Sequence, residues 1–188
     1  MLDSATLQKL RGLADQVAKR ENCEIYDLEF VGSGIGRILR VFIDRPGKES
    51  VSIDDCSNVS NGLNLLLDVE DIIPGGAYNL EVSSPGLERR LREPPHFRGA
   101  VGELAFVRTS SAFADYNTEG ETDLGLRKQG EGKIVDASDE HFKFEFEGVI
   151  VEIPFEDVEK SNVVFVDERV HNQSPMKPKR SPKKKKKR

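Results

Sequence analysis

The sequence predicts an α+β protein with a layered α-β-β-α-β N-terminal domain, a small all-β barrel and a disordered basic tail. Apolar residues recur twice at helical spacing before residue 70, with alternating runs between and after them. After Gly99 the helical spacing disappears, and only short alternating runs remain. From Asn172 onward the chain is rich in Ser, Pro and Lys, with Met176 as its one hydrophobic residue, a composition that cannot offset the entropy of ordering.

The first two predicted elements are a helix and a strand. Ser4 is a plausible N-cap for the helix, whose apolar positions have helical spacing: Leu7, Leu10, Ala14 and Val17. The run 25–31 then alternates, which predicts a strand. Its two faces carry different side chains, with Tyr26, Leu28 and Phe30 on one and Asp27 and Glu29 on the other.

A glycine-rich segment, Gly32-Ser33-Gly34-Ile35-Gly36, follows this strand. A dinucleotide-binding fingerprint would need its third glycine where this chain has Arg37, and a helix would have to follow. The next run instead alternates through Leu39, Val41 and Ile43. The segment therefore predicts a hairpin loop between two strands.

A second helix is predicted to open at Ser52-Ile53-Asp54-Asp55, which has the form of a capping box. Its predicted apolar face consists of Cys56, Val59, Leu63, Leu66 and Leu67. Pro74-Gly75-Gly76 forces a turn, and the alternation of Tyr78, Leu80 and Val82 predicts a third strand. A Pro-rich junction with four arginines covers 83–98.

Five short strands are predicted beyond the junction, and five strands in some seventy residues favour a small barrel. They cover 103–108, 132–135, 142–146, 149–153 and 163–166, with a long loop at 110–122 and a single turn at 154–158. The predicted domains are therefore 1–92 and 93–170, followed by a tail at 171–188.

Charge is distributed unevenly along the chain. Residues 177–188 carry nine Lys or Arg, and removing them from the net charge of −5 leaves about −14 on the remainder. This predicts a body that meets protein or a few well-placed phosphates, and a tail attracted non-specifically to a polyanion. Alternatively, the tail is a solvated appendage.

Several classes of function are not favoured by the sequence. Cys23 and Cys56 are too few for a disulfide framework, and the three histidines are scattered, so no metal site or cofactor is expected. No apolar stretch approaches a membrane span, and residues 1–10 do not have the form of a secretory signal. No catalytic constellation is apparent, although an enzyme whose residues converge only in the fold stays open.

The most informative segment is the signature turn, residues 83–89, which comprises Ser83, Ser84, Pro85, Gly86, Leu87, Glu88 and Arg89. A strand leads into this turn, whose hydroxyls can cap a following helical turn that presents Arg89 and Arg90. Arginines on a rigid turn can bind phosphate or carboxylate in bidentate fashion. Equally, Arg89 could pair with an acid of its own domain, such as Glu81.

This segment, Glu81 to Arg89, resembles the best-known signature of the ribosome maturation factor RimP family. The similarity extends from Leu7 to about Val166 and includes Val51-Ser52-Ile53-Asp54-Asp55-Cys56, Gly132-Lys133-Ile134 and Ile153-Pro154-Phe155. Arg90 departs from the family, which usually has proline there. The lysine-rich tail is not a family-wide feature.

The resemblance implies an Sm-like second domain and a non-enzymatic cytoplasmic factor that binds the free small (30S) ribosomal subunit and is required for its maturation. Its expected partners are ribosomal RNA and a small-subunit protein, without a membrane or small-molecule substrate, and the factor is expected to be a monomer. An Sm-like module that binds messenger RNA is the alternative. The candidate contacts are Arg37, Arg40, Arg45, Arg89, Arg90, Arg92, Arg98, Lys183, Lys184, Lys185, Lys186 and Lys187.

Overall fold

The structure is a computed structural model that describes residues 2–33, 36–47, 50–119 and 124–166. Its elements confirm the mixed α+β class, with an α/β N-terminal part and a β-rich C-terminal part. The predicted tail at 171–188, with Lys183 to Lys187, lies outside the described residues. Among the residues that are described, no helix is long and apolar enough to cross a membrane.

The N-terminal part has the predicted α-β-β-α-β order. It consists of α1 (Ser4–Arg20), β1 (Glu24–Val31), β2 (Ile38–Asp44), α2 (Ile53–Glu70) and β3 (Asn79–Ser83). The prediction of Ser4 as the first N-cap is wrong by one residue, because the Asp3 carboxylate accepts the Thr6 N–H at 2.7 Å and Ser4 is already helical. The capping box of Ser52 with Asp55 on α2 is confirmed.

The N-terminal sheet has the order β1-β2-β3. β1 and β2 form the predicted antiparallel hairpin, whereas β3 lies parallel to β2 because α2 carries the chain back across the sheet. The pairing register shifts between Ile25 and Asp27, which marks a β-bulge. The bulge lies at Tyr26, the residue of β1 that contacts the junction.

The C-terminal part begins with α3 (Pro94–Gly99), within the segment predicted as a junction. Six strands follow: β4 (Leu104–Thr109), β5 (Asn117–Glu119), β6 (Gln129–Ala137), β7 (His141–Phe146), β8 (Val149–Pro154) and β9 (Val158–Val163). A 3₁₀ turn at Phe155–Asp157 falls where the single turn was predicted. β5 lies inside the predicted long loop.

The predicted barrel closure is wrong, because in the sheet order β5-β8-β7-β6-β4-β9 the two end strands, β5 and β9, do not pair with each other. The predicted last strand at 163–166 is also misplaced. β9 ends at Val163, while Phe165 and Val166 are about half exposed. The sequence of β9 lacks the apolar alternation that would predict a strand, because one of its buried positions is polar, Ser161.

Buried apolar side chains form two separate clusters. In one, α1 and α2 pack on one face of β1-β2-β3 through residues such as Leu10, Leu39 and Leu63. The other fills the C-terminal sheet with Leu91, Phe97 and further aromatic side chains. The chain from 83 to 92 connects the two clusters.

Candidate functional site

The signature turn leaves β3 as irregular backbone and makes one turn at Leu87 and Glu88. The expected helical turn does not form there, and the next helix is α3. Gly86 has φ +78°, a conformation that a residue with a Cβ rarely adopts, so glycine is needed at this point of the turn.

Residues 89–91 pair with β9 of the second sheet. The Leu91 N–H donates to the Ser161 carbonyl at 3.0 Å, and the Val163 N–H donates to the Arg89 carbonyl at 2.9 Å. The buried Ser161 hydroxyl donates to the Leu91 carbonyl at 2.6 Å. Arg89 and Arg90 are therefore held by main-chain hydrogen bonds to the C-terminal sheet.

Two junction arginines neutralise the acidic face of β1. Arg90 lies 2.7 Å from the Glu29 carboxylate, which also accepts a hydrogen bond from Arg92, and Arg92 lies 3.1 Å from the Asp27 carboxylate. Asp27 is buried, and the Glu29 side chain is only 11% exposed. Because buried carboxylates need partners, these ion pairs connect the junction to the N-terminal sheet.

His96 of α3 stacks on Tyr26 of β1, with ring centroids 4.1 Å apart and planes 13° from parallel. Its Nδ1 accepts the Arg92 and Glu93 N–H groups at 3.1 and 3.3 Å, so Nε2 carries the proton and donates to the Tyr26 carbonyl at 2.8 Å. The Tyr26 hydroxyl donates to the Arg90 carbonyl at 2.6 Å, and burial raises the pKa of this phenol. Nothing in the spacing of the sequence relates residues 26 and 96, so this contact could not be predicted from it.

Each remaining candidate arginine has an internal partner. Arg89 pairs with Glu103 at 3.0 Å and Arg98 with Asp139 at 2.6 Å. The suggested partner of Arg89, Glu81, instead pairs with Arg40 at 2.7 Å. The alternative that Arg89 forms an ion pair is therefore supported, but with an acid of the C-terminal part.

Arg37, Arg40 and Arg45 do not converge on one patch. They lie before, within and after β2, and each has a different partner. The Arg37 guanidinium donates to main-chain carbonyls of 74–77, whereas Arg45 makes a two-pronged ion pair with Asp55. Hydrogen bonds from Arg45 and then from Ser52 hold the pKa of Asp55 well below its usual value of 3.8.

The candidate arginines also differ in the solvent exposure of their side chains. The Arg90 side chain is 62% exposed, compared with 25% for Arg45 and 27% for Arg89. A cavity of about 330 Å³ lies beside Arg90, with Arg92, Lys160 and Phe155 also at its wall. Three cations and a single acid, Glu159, line this cavity, and two of the cations, Arg90 and Arg92, also pair with carboxylates of β1. The lining offers guanidinium and ammonium donors to a phosphate group.

Within the described ranges, no three or more His, Cys, Asp or Glu side chains are grouped so that they could hold a metal ion. The strongest pKa shift of a carboxyl group, that of Asp55, comes from an ion pair and a helix cap. Both are structural roles.

Residues 13–88 match the family model described as the RimP N-terminal domain. The matched range starts inside α1 and ends within the signature turn, so it covers β1, β2, α2 and β3. The predicted resemblance to this family is thus confirmed over these residues.

Proposed function

Because residues 13–88 match the model of the RimP N-terminal domain, we propose that this protein is a non-enzymatic assembly factor that binds the free 30S subunit and is required for its maturation. The family match carries this proposal, since the family comprises ribosome maturation factors. The proposed partners are ribosomal RNA and a small-subunit protein, in the cytoplasm, with the factor acting as a monomer.

The proposed working parts are a domain at 1–92, an Sm-like domain at 93–170 and a lysine-rich tail at 171–188. The two separate apolar clusters support the division into two domains. The antiparallel six-stranded sheet supports an Sm-like fold in an open rather than a closed form.

Among the seven candidate arginines, we assign the RNA contact to Arg90. It is the most exposed of the junction arginines, and its Glu29 partner also accepts a hydrogen bond from Arg92, which pairs with Asp27 as well. The cavity beside it brings Lys160 and Arg92 to the same surface. Arg37, Arg45 and Arg89 instead stabilise the fold and the junction through their internal partners.

The lysine-rich tail acts in this proposal as an electrostatic tether. Neutralising phosphates releases counterions, so up to nine positive charges make binding depend steeply on salt. The remaining body, at about −14, is suited to meet a basic ribosomal protein directly.

The test is co-sedimentation of the purified protein with separated 30S subunits, 50S subunits and whole ribosomes at several salt concentrations. Full-length protein, a variant lacking 177–188 and Arg90→Ala are compared, with Arg127→Ala as control. Arg127 also pairs with a carboxylate, that of Glu147, but it lies just before β6 in the C-terminal part and outside the junction.

Binding confined to free 30S subunits, and retained without the tail, is the expected result. Arg90→Ala is expected to lower the salt slope by about one, and Arg127→Ala to leave it unchanged. Equal binding to every particle, lost on removal of the tail, would contradict the proposed function.

A further inference from the structure

β3 has an unpaired outer edge. Asn79 donates its N–H to the Arg37 carbonyl, so Asn79, Glu81 and Ser83 hydrogen-bond toward β2. Since successive residues of a strand point their main-chain groups to opposite sides, those of Leu80 and Val82 point away from β2. Among the described residues no further strand pairs with this edge. Exposed strand edges are sites where another chain can add a strand.

A groove of about 760 Å³ runs along this edge, between β3 and the N-terminal half of α2. Its wall on the helix side includes Ile53, which is 85% exposed, and the half-buried Cys56. Serine hydroxyls line much of the remainder: Ser52, Ser57, Ser60, Ser83 and Ser84. The groove thus offers main-chain hydrogen-bonding groups on one side and an apolar surface on the other.

Charge determines which kind of chain fits. None of the residues lining the groove is Lys or Arg, and the one ionisable acid among them is Glu81. Asp54 is exposed in the adjacent first turn of α2, and its carboxylate offsets the positive end of the helix dipole. An RNA phosphate would find no cation among the lining residues, whereas a basic peptide finds the Asp54 carboxylate nearby and the Glu81 carboxylate, which Arg40 also contacts.

The two faces of β3 also specify which side chains an added strand should carry at alternate positions. Leu80 and Val82 face the helices and pack against the N-terminal core, while Glu81 faces the opposite side, where it pairs with Arg40. A strand added beside β3 would place alternate side chains on these same two faces. Apolar side chains would therefore lie toward Ile53 and Cys56, and basic side chains toward Glu81.

We propose that the outer edge of β3 binds an extended protein segment, in which basic and apolar residues alternate, as a fourth strand of the N-terminal sheet. This site is separate from the arginines at the junction and does not rest on the proposed function. It can be tested without ribosomes.

The chain supplies its own reporter for this site. Cys56 lies in the groove, whereas Cys23, the other cysteine, is 2% exposed. Burial raises the pKa of the Cys56 thiol, so labelling with a thiol reagent is best followed at mildly alkaline pH by mass spectrometry. Cys23 in the same molecule serves as the protected reference.

The probe is a synthetic peptide of eleven alternating Val and Lys residues. Controls are the Val and Glu counterpart, the Val and Lys peptide with alternate amides N-methylated, and single-stranded oligouridine. We expect only the unmodified Val and Lys peptide to protect Cys56. Failure of that peptide to protect, or equal protection by the N-methylated peptide or by oligouridine, would overturn the proposal.

A variant pair tests the strand edge itself. Val82→Pro removes an outward N–H, and Val82→Ala shortens the same side chain but keeps that donor. Val82→Pro is expected to weaken peptide binding about tenfold relative to Val82→Ala, as loss of a main-chain hydrogen bond predicts. Equal affinities of two folded variants would contradict strand addition. If Val82→Pro does not fold, the N-methylated peptide provides the same comparison.

Discussion

The Asp55 carboxylate accepts hydrogen bonds from both the helix cap and an arginine. It accepts the main-chain N–H of Ser52 at 2.8 Å and two guanidinium N–H groups of Arg45 at 2.7 and 3.0 Å. The capping role was predicted from the spacing of Ser52 and Asp55. The ion pair was not, and through it Arg45, one of the predicted RNA contacts, stabilises the start of α2.

Asp55→Asn is expected to destabilise the protein in a pH-dependent way. Hydrogen bonding to Arg45 lowers the pKa of Asp55 in the folded state below its usual value of 3.8. The carboxylate therefore stabilises the fold fully above that value, and this contribution is lost as pH falls through the folded-state pKa. Thermal unfolding at pH 7 should show a clearly lower midpoint for Asp55→Asn than for wild type.

The difference between the two midpoints should shrink as the pH falls below about 4. Asp54→Asn is the matched control, because it removes a charge from the same helical turn at an exposed position. Equal midpoints for Asp55→Asn and wild type at pH 7, or a difference that does not change with pH, would contradict this role.

At the scale of single elements, β6 depends on glycine for close packing. A Cβ at Gly132 would lie 2.3 Å from the Glu145 carbonyl oxygen and 2.7 Å from the Phe144 ring. At Gly130 it would lie 2.2 Å from the ring of Phe146. These aromatic rings of β7 lie across β6. In the sequence, the two glycines are the only indication of this close packing.

Gly132→Ala is expected to lower the free energy of unfolding by about 1–3 kcal/mol, because the overlap involves a main-chain carbonyl that cannot move freely. Gly12→Ala is the contrasting variant. Gly12 lies exposed in α1 with nothing near the added methyl group, so its replacement should stabilise the protein by up to about 1 kcal/mol. Urea denaturation measures both, and a neutral or stabilising Gly132→Ala would refute the packing argument.

At the scale of the whole molecule, one set of contacts holds the two clusters together. Arg92 connects to Asp27 and Glu29, the Tyr26 ring stacks on His96, and Arg11 of α1 makes a bidentate ion pair with Glu93 at 2.7 and 3.1 Å. The Pro-rich junction therefore does not act as a free linker between the two parts. The junction is bound to the N-terminal sheet by these contacts and to the C-terminal sheet by the main-chain hydrogen bonds of residues 89–91.

Arg92→Ala is expected to weaken this connection by about 1–3 kcal/mol, since it leaves the buried Asp27 carboxylate without its guanidinium partner. Limited trypsin digestion should then cleave the junction faster than in wild type. Arg98→Ala is the control, because its partner Asp139 is 90% exposed and belongs to the same C-terminal part.

Adding Asp27→Asn to Arg92→Ala should recover part of the loss, because the uncompensated charge is removed. A junction cleaved equally fast in wild type and Arg92→Ala would show that the ion pairs do not restrain it.

The sequence by itself determined the α-β-β-α-β order, the hairpin, the capped second helix and four of the C-terminal strands. These features depend on local periodicity and on capping residues, which act over a few positions of the chain. The tertiary structure alone decided which partner each arginine has, that the end strands of the second sheet do not pair with each other, and that Tyr26 meets His96. Those outcomes depend on which charges and rings are brought together from distant positions, and each arginine pairs with whichever carboxylate or carbonyl the packing places beside it.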